Sequence, residues 1–416
     1  MTTVTLRRLE RIALLAASSL FGIVALLAAC DSREVRTDPL RAVRDGDGVT
    51  QVMWVTRFDF RTQDDVRAVI RNCADLGIDR VMFQVRGNAT VFFPSPHEPW
   101  AEQLDWKSPG FDPLALAIQE AHARGMQLHA WTNVVPGWWG PTPPSSREHL
   151  WNSRPNWFWF DQHGKRQALS EKFYVSLNPA LPAVREHIVK VLADLVKRYD
   201  VDGLHLDYIR FPNEPPAVPA GTDIDYPRDR ESLALFASET GGDPDRHPEL
   251  WDQWRTSRIT LLLQEIRAAV KSAKPKLPLS AAVGSEPTRA LEHFQDVEAW
   301  LAHGLLDAVY PMNYTSDAAA FEQRLAAWKE RARKHPVELV MGVMIASGDR
   351  EARLAQIRSA REQVGAVCLF AYSALFDSPN DAIDKQDEAS RAERKKRYAA
   401  FGPLLRGEGR APAKPR

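Results

Sequence analysis

The sequence predicts an α/β fold, a closed (β/α)8 TIM barrel with long loops after strands three and four. Three observations point there. Eight apolar strand-like runs alternate with stretches of helical periodicity along most of the 416 residues. Several runs split by parity into one apolar and one mixed face, as strands do. The clearest run, Gly203-Leu-His-Leu-Asp207, puts Leu204 and Leu206 on one face and Gly203, His205 and Asp207 on the other. It ends in a carboxylate, at the end of a barrel strand where such folds keep their chemistry. An open doubly wound sheet fits less well, because no glycine-rich phosphate loop follows the first run.

The strands are expected at 52–60, 80–88, 126–135, 203–211, 277–286, 307–314, 338–346 and 366–373. Between them, Val66, Val69, Ile70, Cys73 and Leu76 recur at helical spacing, and so do Val184, Ile188, Val191, Leu192, Leu195 and Tyr199. Gly77 and Gly125 stand where helix C-termini need a left-handed residue. The length beyond a minimal barrel falls in two insertions, 136–178 and 213–248. Both follow C-terminal strand ends, so both are expected to build the mouth.

The flanks read differently. Arg7, Arg8 and Arg11 precede an apolar run that ends Leu27-Ala-Ala-Cys30, the pattern of an export signal over 1–30. The ending resembles a bacterial lipobox, which implies a lipid on Cys30, a membrane anchor and a place at the cell envelope. Residues 31–50 are expected to be a flexible tether, 51–401 the barrel domain and 402–416 a disordered basic tail. Lys+Arg and Asp+Glu both number 54, and no basic stripe with interleaved aromatics occurs, so nucleic acid is not an expected partner. Cys73 and Cys368 make neither a disulfide framework nor a zinc site and are expected to be buried apolar groups. No His-Glu-x-x-His run or other ligand cluster suggests a metal, and no cofactor is expected.

Two carboxylates carry the chemical reading. Asp207 ends the fourth strand. Glu286 closes Leu279-Ser-Ala-Ala-Val-Gly-Ser-Glu286, whose alternation puts Ser280, Ala282, Gly284 and Glu286 on one face. On neighbouring strands, two such groups suit glycoside hydrolysis, at about 5–5.5 Å for retention or about 6.5–9.5 Å for inversion. Polar residues at the other strand ends are candidates for holding substrate: Arg57, Asp59, Arg86, Asn88, Asn133, Asn313, Tyr314 and Tyr372, with Tyr208 and Arg210 just past Asp207. Arg57 or Arg86 beside Asp207 would hold it as an anion. His205 is expected to orient that carboxylate. Of 13 tryptophans, six lie between Trp131 and Trp159, with Trp131 and Trp138 foremost as platforms for sugar rings.

Several segments resemble the glycosyl-hydrolase-like family 10 of exported bacterial lipoproteins. They are Val52-Met-Trp-Val-Thr-Arg57, Val85-Arg-Gly-Asn88, Ser176-Leu-Asn-Pro-Ala-Leu-Pro-Ala-Val-Arg185, the stretch from Tyr199 to Pro212, Trp251-Asp-Gln-Trp-Arg255 and Asp307-Ala-Val-Tyr-Pro-Met-Asn-Tyr314. The resemblance implies a (β/α)8 barrel acting on a polysaccharide, with bacterial cell-wall glycan the implied substrate class. A more distant resemblance to the α-amylase superfamily implies Asp207 as nucleophile and Glu286 as acid. This chain has His205 where that superfamily has Arg, and Tyr208 where many family members carry a second Asp. The missing second Asp favours the other reading, a barrel that binds glycan without cleaving it.

Overall fold

The computed structural model describes residues 48–211, 224–379 and 387–407. Cys30, the expected export signal and nearly all of the expected tether lie outside them. The barrel forms as expected. Its strands are β1 Thr50–Val55, β2 Arg80–Arg86, β3 Gln127–Asn133, β6 Gly203–Asp207, β7 Leu279–Val283, β8 Ala308–Pro311, β9 Glu338–Leu339, β10 Met341–Met344 and β11 Ala366–Phe370. All pair in parallel, in the order β10-β11-β1-β2-β3-β6-β7-β8-β9. β9 and β10 are two halves of one stave interrupted at Val340, whose N–H still donates to Val309 O at 3.0 Å. A bridge between Met312 and Gly342 joins that stave to the end of β8. Eight staves therefore close into a ring.

Parity decides what fills the ring. Val52, Trp54, Met82, Trp131, Ala308, Tyr310, Val340, Ala366 and Cys368 form one buried cluster inside it. The opposite faces of the same strands join a much larger core under the helices. The helix Gln63–Asp75 shows the pattern. Thr62 and Asp65 form a capping box at its start, and Val66, Val69, Ile70 and Cys73 make its buried stripe. Burying each such aliphatic side chain stabilises the fold by about 1.5–3 kcal/mol. Gly77 (φ +72°) and Gly125 (φ +70°) turn the chain after the helices ending at Asp75 and His122. Cys73 and Cys368 are both buried and unpaired.

The lumen is narrow, and two glycines make it fillable. A Cβ on Gly203 would lie 2.3 Å from His129 Nδ1, and one on Gly342 would lie 2.7 Å from Pro311 O and 3.2 Å from the Trp54 ring. His205 sits between these layers. Its Nε2 lies 3.4 Å from Trp54 Nε1, a donor, and its Nδ1 lies 2.9 Å from Ser280 Oγ. Burial, helped by the Arg80 charge, lowers its pKa to about 3, so the ring is neutral. Below it Arg80 spans the base, bonding Tyr310 at 2.7 Å and Glu338 at 3.0 Å.

The flanks and insertions depart from expectation in three places. β1 begins at Thr50, inside the expected tether. The helix Glu388–Leu405 runs through Gly402, where a disordered tail was expected to start. Phe401 and Leu405 are buried, and Leu405 O accepts from Gln51 Nε2 at 2.8 Å, so packing against the barrel base orders that segment. The insertion after β3 is not a structureless loop. It folds into an antiparallel hairpin of β4 Pro136–Gly140 and β5 Ser170–Ser176.

A buried ion pair ties the loop after β2 to the staves. Arg86 and Glu98 are joined at 2.7 and 2.8 Å with both side chains fully buried, and His187 approaches the same carboxylate at 3.1 Å. Burial alone would raise the Glu98 pKa, but the Arg86 charge and the bonds from His187 and Arg86 overcome it and bring it to about 2.

Two outcomes follow. Gly203→Ala forces a methyl into the His129 ring and should lower stability by about 1–3 kcal/mol. An unchanged urea unfolding midpoint would show that the lumen has room to spare. For Glu98, the folded pKa of about 2 lies below the ordinary 4.5. Its stabilisation is then present above pH 4.5 and lost as pH falls toward 2, by about 3 kcal/mol in all. Glu98→Gln should be less stable than wild type at pH 7, with the gap narrowing as the pH drops through that window. A gap that stays constant in acid melts would rule the pair out as the cause.

Candidate active site at the barrel mouth

The mouth is built from the C-terminal stave ends. In the β3–β6 register Trp131 lies beside His205 and Asn133 beside Asp207, all four on the inward face. Val134 N–H donates to Asp207 O at 2.8 Å, so strand pairing holds the carboxylate's backbone in place. Asp207 is 6% exposed, and its Oδ1 accepts from Tyr208 N at 2.6 Å. Tyr208 has a φ of +50°, a left-handed conformation that is uncommon for a bulky residue and costs about 1–3 kcal/mol. That turn ends the stave at Asp207.

Around this point lie polar groups with no protein partner. Trp131 Nε1, Asn133 Oδ1 and Arg57 Nε are buried and bond to nothing among the described residues. Folded chains pair the great majority of such groups, so each unpaired one calls for a partner such as ordered water or a ligand. Tyr314 leans on Trp54 and Phe370 with centroids 6.3 and 5.4 Å away. Burial, then the nearby Cys368 and Asp207, push its hydroxyl well above the usual phenol range, so it remains a neutral donor.

Three residues that the sequence reading did not single out, Tyr174, Phe58 and Gln84, join Trp139 and Arg210 at the rim. Tyr174, on β5, accepts from Arg57 Nη2 at 3.0 Å and packs edge-on against Tyr208 at 5.2 Å. Phe58 and Trp139 meet edge-on at 6.4 Å. Gln84 Oε1 accepts from Arg57 N at 3.0 Å. Arg210 lies over the Tyr208 ring at 4.4 Å. The signal for Tyr174 was its parity: on β5 it alternates with the buried Phe173 and Val175.

Several expected site residues are engaged elsewhere. Arg86 is held by Glu98 and donates to Val134 O at 2.9 Å, and neither Arg86 nor Arg57 forms an ion pair with Asp207. His205 does not orient Asp207, because both of its nitrogens already have partners within the lumen. Asn88 is buried: its carbonyl lies 2.9 Å from His149 Nε2, and its Oδ1 accepts from Thr90 at 3.3 Å. Asp59 accepts from Thr56 N at 2.6 Å and, with Tyr372, lines a cleft beside the helix Gln63–Asp75. Tyr372 accepts from Asn72 at 2.8 Å on that outer side, away from the lumen. Asn313 donates to Phe321 O at 3.1 Å. Trp138 donates to Thr142 O at 2.8 Å and stacks on Trp106, and Trp151 and Trp159 are likewise buried in packing.

Glu286 does not end a stave. β7 stops at Val283, and Glu286 stands just before the short helix Pro287–Ala290 without bonding its first turn. Its Oε1 takes Arg324 Nη2 at 2.8 Å and Nε at 3.0 Å, with Arg289 3.8 Å away. The β6–β7 register, Leu206 opposite Ala281, puts Ala282 level with Asp207, so Glu286 lies well further along the chain. Among the described residues no group of three or more His, Cys, Asp or Glu side chains could hold a metal ion.

With this geometry in hand, comparison with known proteins is informative. A family model described as Glycosyl hydrolase-like 10 matches residues 49–356. Glycosyl hydrolase YngK of Bacillus subtilis (strain 168) is 26% identical over 71% of this chain and 58% of its own length. Glycosyl hydrolase DigH of Escherichia coli (strain K12) is 27% identical over 64% of this chain and 62% of its own length. The chain thus spans about three fifths of the curated relatives it matches. Two solved structures share the fold. The PgaB (BpsB) glycoside hydrolase domain from Bordetella bronchiseptica has a TM-score of 0.57 at 16% identity, covering 83% of this chain and 98% of that one. The catalytic domain of β-amylase from Paenibacillus polymyxa has a TM-score of 0.60 at 10% identity, covering 88% and 100%. The chain belongs to the glycosyl hydrolase-like 10 family.

Proposed function

We propose that the protein hydrolyses O-glycosidic bonds of a polysaccharide at the barrel mouth. The observation that carries this reading is the setting of Asp207, a carboxylate at a stave end beside Asn133 and one layer above Trp131, whose Oδ1 and Nε1 have no partner among the described residues. Sugar hydroxyls supply the donors and acceptors such atoms lack. Asp207 attacks the anomeric carbon or stabilises the positive charge that develops there. Glu286 protonates the leaving oxygen and then takes the proton of the attacking water. For that, Glu286 must exchange its bonds to Arg324 for one to the substrate. Membership of the family and the resemblance stated above favour the glycan strands of peptidoglycan as substrate.

A second reading is a glycan-binding barrel without turnover. The Glu286–Arg324 pair favours it, as does Tyr208 in place of a second acid. Digestion of purified glycan strands, with and without stem peptides, separates the two by the reducing ends released. Asp207→Asn should lower turnover at least about 10³-fold while glycan binding persists. Wild type that binds strands and releases no new ends would establish the binding reading instead.

We also propose that the protein sits at the cell envelope, held by a lipid on Cys30. Cys30→Ser should move it from the membrane fraction to the soluble one. Retention of that variant in membranes would refute lipidation as the anchor.

A further inference from the structure

Arg57 is buried to 2% exposure at the end of the first stave, yet it has no anionic partner among the described residues. Its side chain makes one hydrogen bond, from Nη2 to Tyr174 OH at 3.0 Å, and its Nε is buried and unbonded. The charge reaches the carboxylate of Glu102, but no ion pair joins them. This is unusual, because removing a cation from water without a counter-charge is strongly unfavourable. Four other buried arginines have acidic partners, Arg86 with Glu98, Arg80 with Glu338, Arg185 with Glu265 and Arg394 with Asp377, and Arg353, which has no ion pair among the described residues, is instead surrounded by oxygens of Ser347, Thr315 and Gln356.

The stem of Arg57 is also fixed. A Cβ on Gly87 would lie 2.7 Å from Arg57 Cδ, so the chain passes flush against the backbone there. The guanidinium rests over Phe58 at 4.4 Å and near the Tyr174 ring at 5.8 Å. Tyr174 accepts the Arg57 bond, which leaves its own O–H free to donate. Nη1 likewise forms no hydrogen bond within the described chain. An N–H and an O–H from two adjoining groups match the two oxygens of a carboxylate.

We propose that Arg57 and Tyr174 bind a carboxylate carried by a sugar unit of the substrate, which makes them specificity-determining residues for an acidic glycan. The inference rests on the reading of this mouth as a glycan site and names the charge class of its ligand. Such a carboxylate could be a lactyl ether acid, as on peptidoglycan glycan strands freed of stem peptides, or the ring acid of a polyuronate.

The test is calorimetric binding of both kinds of strand, each with its carboxylates free or amidated, to the full-length protein. With the preferred acidic strand, amidation should weaken wild-type binding about 10- to 100-fold, the range for charged hydrogen bonds. The same amidation should change binding to Arg57→Gln by less than about threefold, and Tyr174→Phe should fall between. Tyr174→Phe keeps its ring contacts, so it answers the question even where Arg57→Gln fails to fold. Whichever acid shows the effect identifies the source. Equal wild-type binding of free and amidated strands overturns the proposal, as does binding of neither acidic strand, or undiminished discrimination in Tyr174→Phe and Arg57→Gln. Cleavage of neutral chitooligosaccharides with no preference for acid would overturn it and leave the hydrolase reading standing. Discrimination through Arg57 without any cleavage would uphold it and end the hydrolase reading.

Discussion

The width of the lumen governs this molecule. Eight parallel staves leave inner space for only a few layers of side chains, and every inward position must interlock with those across from it. Trp54 is one of two tryptophans there, and it is admitted because Gly342 opposes it. His129 is admitted because Gly203 does. His205 then bridges the middle, facing Trp54 on one side and Ser280 on the other. A packed plug of this kind brings the chemistry to the top rim, since nothing the size of a sugar can enter below Asp207.

The rim follows from how the plug ends. Asp207 is the next inward residue above His205, and Asn133 is the next above Trp131. Both are the last of their kind before the chain turns out of the sheet. Tyr208 enforces the turn with its left-handed backbone, and its amide bonds back to Asp207. Strain here is held by the neighbours of Tyr208. The edge of its ring meets Tyr174, and the Arg210 guanidinium lies on its face. The hairpin β4–β5 therefore has a structural task at the mouth, which is to bring Tyr174 within reach of both Tyr208 and Arg57.

How much of this was legible in the sequence depends on the range of the interaction concerned. Stave positions were legible because a strand's two faces are written locally, as in Gly203, His205 and Asp207 against Leu204 and Leu206. Helix faces and the turns at Gly77 and Gly125 were legible for the same reason. Partnerships were not. Arg86 reads like a strand-end ligand group until Glu98 folds back from the following loop and removes it from the mouth. Tyr372 follows the last stave, but the chain turns outward there, and its hydroxyl meets Asn72 on a helix. The tryptophan cluster misled in an instructive way. Indoles near a mouth can serve ligand or loop equally well, and in this insertion Trp138 stacks on Trp106, Trp159 stacks on Phe211 and Trp151 meets Phe158 edge-on, which packs the loop onto the main core.

Glu286 shows where parity arguments stop. Alternation carries a residue to the inward face only while the backbone stays extended. β7 stays extended to Val283. Gly284 then packs against Ala290, with a would-be Cβ 3.1 Å from it, which shows how tightly the next helix folds over the stave end. Pro287 opens that helix, as proline does at a first helical position. Three residues beyond a stave the rule of twos no longer holds, and Glu286 pairs with Arg324. Asp207 escapes this because pairing with β3 continues through Asp207 itself. The two carboxylates thus differ in kind. One is held by a sheet ladder in a fixed direction, and the other by an ion pair that a ligand can compete for.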